Sequence, residues 1–176
     1  MARQDQKKTV YTALGGVMAA GSLAVLWLAC TAPSGRVGLT AAAGLFPMAA
    51  TLYAGRTAGY LCWAAASLLG LFLLPDKGVA LLFLAFLGLY PVVKGRLETL
   101  ERRTLEWGLK LSWFELTLSL FWFVLQSMFL PQAPEWLKNS TLLLYLLGSL
   151  IFVMYDIGLS RLIGFLRVRI GTGRRL

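Results

Sequence analysis

The stretch K-G-R-L-E-T-L-E-R-R-T-L-E-W-G-L-K, residues 94–110, decides how the chain is organised. It is the one long charged segment in an otherwise apolar sequence. Its five basic residues are Lys94, Arg96, Arg102, Arg103 and Lys110. Basic residues beside membrane spans stay on the cytoplasmic side, so placing this loop inside fixes the direction of every other apolar run. Leu97, Leu100 and Trp107 within it, and Leu111 just after it, recur at helical spacing, while Glu98, Glu101, Arg102 and Glu106 fall elsewhere. That pattern predicts a short amphipathic helix on the inner membrane surface. It serves either as a solvated connector or as a docking surface for a partner.

Working outward, the apolar runs predict six spans, at about 10–30, 39–54, 60–74, 79–93, 109–130 and 141–163. The first is longer than the apolar core of a signal peptide, so it reads as a span. Turn-rich segments separate them: T-A-P-S-G-R-V-G at 31–38, P-D-K-G at 75–78 and P-Q-A-P-E-W-L-K-N-S at 131–140. Pro47 interrupts the second span, which predicts a kink whose freed carbonyl needs a donor from a neighbouring helix. With both termini inside, fourteen of the 17 basic residues fall on inner segments, and only Arg36, Lys77 and Lys138 fall outside. This asymmetry favours six spans over five. The expectation is an all-α integral membrane protein of the plasma (bacterial inner) membrane, one domain over residues 1–176, with six spans and a cytoplasmic amphipathic helix between the fourth and fifth.

Composition narrows the chemistry. The chain is 58% hydrophobic, above the 45–50% usual for soluble chains, and its mean hydropathy is +0.70. A net charge of +9 would suit nucleic acid in a soluble protein. Here the basic residues sit at span ends and meet anionic headgroups, so no nucleic-acid partner is expected. There is no histidine, which removes the commonest metal ligand and the usual general base. No nucleophile–base pair is visible, so neither enzymatic activity, a metal nor a cofactor is expected. Cys30 and Cys62 fall near opposite ends of the bilayer, too far apart for a disulfide.

Charged groups inside spans are costly and usually face the bundle interior. Glu115 and Asp156 are two such acids. Ser112, Glu115, Ser119, Trp122 and Gln126 share one face of the fifth span; Tyr145, Ser149, Phe152, Asp156 and Ser160 share one face of the sixth. Consecutive antiparallel helices turn these stripes toward each other or toward a common cavity. The acids either pair with Arg56, Lys94 or Lys110 and pin the inner ends of the bundle, or relay a proton or cation. Toward the outer side, Trp122, Gln126, Asn139, Ser140 and Tyr145, with Arg36 on the first outer loop, suit either a small organic ligand or an interfacial aromatic belt. In the first span Gly16, Ala20 and Ala24 recur every fourth residue, with Gly15 and Ala19 in a parallel row. Such faces let helices approach closely in lipid, within the bundle or against another subunit.

In its size, six spans, cytoplasmic termini and small-residue first helix, the chain resembles the substrate-binding S subunits of energy-coupling-factor (ECF) vitamin transporters. In that family an A-x-x-x-A pattern in the first helix docks onto a coupling subunit, and Ala20 and Ala24 supply it here, with Gly16 one turn earlier. The resemblance implies a vitamin or micronutrient taken from the outer side by Arg36, Trp122, Gln126, Asn139 and Tyr145. It also implies a transmembrane coupling subunit and ATPases as partners. The stretch F-L-G-L-Y-P-V-V-K-G-R-L-E, 86–98, looks like uncharacterised bacterial membrane proteins of similar architecture. Two alternatives stand beside the importer: a non-transporting scaffold similar to the rod-shape protein MreD, and a stand-alone proton-coupled carrier using Glu115 and Asp156.

Overall fold

The computed structural model describes residues 2–97, 103–123 and 141–173. Among these every regular element is helical. The chain forms two compact units, Met1–Thr99 and Leu100–Leu176. Five helical segments are long and apolar enough to cross a membrane: Thr9–Thr31, Arg36–Ala54, Arg56–Leu73, Lys77–Lys94 and Tyr145–Leu166. These are compatible with a multi-pass membrane protein. The predicted span at 109–130 is described only as far as Phe123, where it is the C-terminal part of a helix that also carries Glu106, Lys110 and Glu115.

In the first unit α1, Ala2–Thr31, is one continuous helix. It begins ahead of the span expected at about 10–30, and neither Gly nor Pro interrupts it before Gly15. Helix α1 packs against α2 (Arg36–Ala43), α3 (Leu45–Ala54) and α4 (Arg56–Leu73). Helix α2 starts inside the segment predicted as a turn, after Gly35 at φ 77°, a left-handed conformation that glycine adopts without strain. The core is built largely of small residues, among them Ala19, Ala29, Ala43, Ala50 and Ala66 with Leu26 and Phe83. These allow close helix approach. Beyond Pro75, Asp76 caps α5 (Lys77–Leu82), its carboxylate accepting from the amides of Gly78 and Val79. The Lys77 ammonium donates to the Leu71 and Leu74 carbonyls at 2.8 and 2.9 Å, closing the end of α4.

Two of the crossing segments are broken, and the breaks meet. Pro47 has no N–H for the Ala43 carbonyl four residues earlier. The chain bends at Gly44, and the buried Ser22 hydroxyl on α1 donates to that carbonyl at 3.0 Å. After α5 the helix widens into a π-helical segment, Phe83–Leu87, before α6 (Tyr90–Leu97). The Gly88 amide reaches back five residues to the Phe83 carbonyl at 2.8 Å, and the Trp63 indole donates to the Leu84 carbonyl at 3.1 Å. Pro91 likewise has no N–H for the Leu87 carbonyl. Gly44 lies against that carbonyl so closely that a Cβ would overlap its oxygen. Tyr90 is buried and stacks on Phe86, with centroids 5.3 Å apart.

The second unit is described as α7, Arg103–Phe123, and α8, Thr141–Gly173, which pack together. Helix α8 has 33 residues, about 50 Å at 1.5 Å per residue, so it outruns a hydrocarbon core of about 30 Å. The amphipathic helix predicted over 94–110 falls partly on residues 98–102, outside the described residues. On either side the backbone belongs to α6 and α7.

Gly44→Ala is expected to lower thermal stability in detergent sharply, because the new methyl meets backbone. Gly38→Ala should be neutral, since a Cβ there meets nothing within 4 Å. Ser22→Ala leaves a buried acceptor without its donor and should cost about 1–3 kcal/mol, read from unfolding followed by circular dichroism.

Candidate functional site

The two polar stripes predicted for the last helices do face each other, and they form a seam between α7 and α8. At one end the Ser119 and Tyr145 hydroxyls are 2.6 Å apart. About one turn further along, the Ser149 hydroxyl donates to the Glu115 carboxylate at 2.7 Å. Phe114 and Phe152 then stack with centroids 4.7 Å apart and planes 10° from parallel. The seam ends where the Lys110 ammonium donates to Asp156 at 3.3 Å and to Glu106 at 2.6 Å, lying 5.4 Å from the centre of the Trp107 ring. One antiparallel register satisfies all these contacts, because residues three or four apart share a helix face. Ser112, at the edge of the stripe, is exposed.

The two acids differ in their surroundings. Asp156 and Lys110 are 3% and 2% exposed at the side chain, so their charges are paired away from solvent. Removing Asp156 would leave Lys110 with Glu106 as a remaining carboxylate partner. Glu115 is half-buried, and its partner among the described residues is the neutral Ser149 hydroxyl. Glu106 was missed by the stripe argument, although its i,i+4 spacing to Lys110 was a readable signal. Of the five basic residues between 94 and 110, Lys94 and Lys110 are buried rather than solvated.

The described residues proposed from sequence for ligand binding fall in both units. Arg36 belongs to the first unit, where its guanidinium donates to Asp76 at 3.3 Å and to the Ala32 carbonyl at 3.2 Å. Its charge ties the turn before α2 to the turn before α5. Trp122 and Tyr145 belong to the second unit; Trp122 is buried and Tyr145 is half-buried against Ser119. Gln126 and Asn139 lie outside the described residues.

The small-residue rows on α1 separate cleanly. Ala19, Ser22, Leu26 and Ala29 are buried, so that face packs within the unit. Gly16, Ala20 and Ala24 are exposed. Val17, Trp27 and Leu28 beside them are at least half exposed. Both cysteines are free. Among the described residues no three His, Cys, Asp or Glu side chains come together as a metal site would require.

No family model, curated protein or solved structure matches the chain.

Asp156→Leu should lower thermal stability, but by less than the roughly 3–5 kcal/mol of a fully uncompensated buried charge, because Lys110 keeps Glu106. Combining Asp156→Leu and Lys110→Met should recover the loss only when Glu106→Gln is added, because Glu106 otherwise loses its cation, read as a mutant cycle on thermal unfolding. Glu115→Gln should cost far less, because a neutral amide oxygen still accepts from Ser149.

Proposed function

We propose that this protein is a membrane-embedded capture subunit for a small solute of the vitamin or micronutrient class. It works docked to a transmembrane coupling subunit with its ATPases, in the manner of the ECF S subunits it resembles. In this reading six spans cross the plasma membrane with both termini in the cytoplasm. The observation that supports it best is the division of α1 into a packed face and an uncovered one. A residue in lipid gains little from exposure of glycine and alanine, whereas small residues in a row let a second helix approach to backbone contact. Gly16, Ala20 and Ala24 form the docking face. The ligand is taken by Trp122 and Tyr145 in the second unit, with Gln126 and Asn139. Arg36 acts by fixing the first outer turn to Asp76.

A second reading has one observation in its favour. Glu115 is an acid in an apolar seam whose described partner is a neutral hydroxyl, which suits a proton-coupled carrier. An MreD-like scaffold would use the same α1 face and bind no solute.

The test is purification from native membranes in mild detergent, with mass spectrometry of both proteins and released small molecules. A coupling subunit, two ATPases and a micronutrient are expected. Replacing Ala20 and Ala24 by Leu should lower coupling-subunit recovery at least tenfold, about 1.4 kcal/mol, while leaving the protein folded. Envelope-synthesis proteins without solute would replace the importer reading by the scaffold. Recovery alone, with transport lost in Glu115→Gln, would replace it by the carrier.

A further inference from the structure

The packed face of α1 does not stay closed along its whole length. From Ala19 to Ala29 it is sealed against its neighbours. Nearer the N-terminus the same face opens on a cavity of about 620 Å³ between α1 and α4. Gly15, Gly16, Ala58, Leu61, Cys62 and Ala65 form its apolar walls. The opening has a sequence cause: a Cβ on Gly15 or Gly16 would meet nothing within 4 Å. Tyr11, Thr12 and Thr57 line it near the N-terminal ends of the stretches of α1 and α4 that form it. That end is also basic. Arg56, next to Thr57, is exposed. Helix α4 begins after Gly55, which offers its first amides no side-chain acceptor, so its positive end adds to the charge there.

We propose that this groove seats one acyl chain of an anionic phospholipid, with the phosphate held at the Arg56 end. Two observations select this occupant. The first is depth. From Thr57 to Ala65 the α4 wall rises about 12 Å at 1.5 Å per residue, close to one leaflet of a hydrocarbon core about 30 Å thick. A transmembrane helix would need the groove to continue through the other leaflet, where the α1 face is sealed and Gly70 of α4 lies 3.9 Å, by its notional Cβ, from Leu23. The second is charge. An apolar slot closed at the top and basic at the mouth matches an anionic amphiphile entering from the leaflet on the Arg56 side, where juxtamembrane basic residues attract acidic headgroups. The groove shares Gly16 with the proposed docking face but includes neither Ala20 nor Ala24, so substitutions at Ala20 and Ala24 test that face while Gly15→Phe tests the groove.

The full chain is reconstituted in vesicles of phosphatidylglycerol and phosphatidylcholine in equal parts, extracted gently and weighed by native mass spectrometry. The expected result is one retained phosphatidylglycerol per chain, several-fold over phosphatidylcholine. Gly15→Phe should fill the groove and abolish retention. Arg56→Gln should keep a lipid but lose the headgroup preference. Equal retention of the two lipids by the unaltered chain, or undiminished retention by Gly15→Phe, would overturn the proposal. A photo-reactive p-benzoylphenylalanine at position 61, on the exposed flank of the groove, gives a second readout that does not depend on that variant folding. Cross-linking to phospholipid in native membranes supports the proposal, and cross-linking to a polypeptide overturns it.

Discussion

The first unit depends on one constraint: a backbone carbonyl freed inside apolar surroundings has to find another donor. Pro47 and Pro91 each withhold an N–H from a helix long and apolar enough to cross a membrane. Water could repair such losses at a surface. In a helix bundle the repair has to come from the neighbours, as it does for the carbonyl freed by Pro47. Ser22 serves Ala43, and Trp63 serves Leu84 within the π-helical segment, whose Gly88 amide is turned to Phe83. The segment Lys77–Lys94, which contains that widening, is the most buried of the five crossing candidates. Irregular backbone is tolerated at membrane depth where protein covers it. Gly44 completes the junction, since only a residue without a side chain can rest against the Leu87 carbonyl.

The second unit answers a related constraint with charge. Lys110 and Asp156 would each be costly alone in an apolar seam, and together they hold α7 and α8 in one register. Hydroxyl, carboxylate and aromatic contacts repeat along that register, so a slip of one residue would break all of them at once. The pair thus sets alignment more than it adds stability, in keeping with the small net gain expected of buried ion pairs. It leaves Glu115 as the seam's less committed acid, which is why the carrier reading turns on that residue.

Helix α1 shows how one element can serve several surfaces. Three faces follow from where its glycines and alanines fall. One is sealed by Ser22 and Leu26, one opens into the groove at Gly15, and one is left uncovered at Ala20 and Ala24. A bulkier first helix would have filled the groove and blocked close approach by any other helix.

Much of this was legible in the sequence. Apolar runs bounded by charge and turns matched, to within a few residues, the five segments long and apolar enough to cross a membrane, because membrane thickness sets a minimum length that composition reveals. The expected span at 109–130 is not among them in the described residues. Period-four spacing placed Glu115, Ser119, Ser149 and Asp156 on facing stripes, since helical geometry is fixed before any packing occurs. The proline in the second segment announced that a neighbour must donate a hydrogen bond. What the sequence could not say was which neighbour. Ser22 and Trp63 are far from their acceptors along the chain, and only packing brings them there. Nor could it tell the Gly15–Ala19 row from the Gly16–Ala20–Ala24 row. The two have the same spacing, and burial is decided by which side of α1 the other helices occupy. For the same reason Arg36, a free cation in the sequence, became the partner of Asp76, and Lys94 and Lys110, charges in a polar stretch, became buried ones.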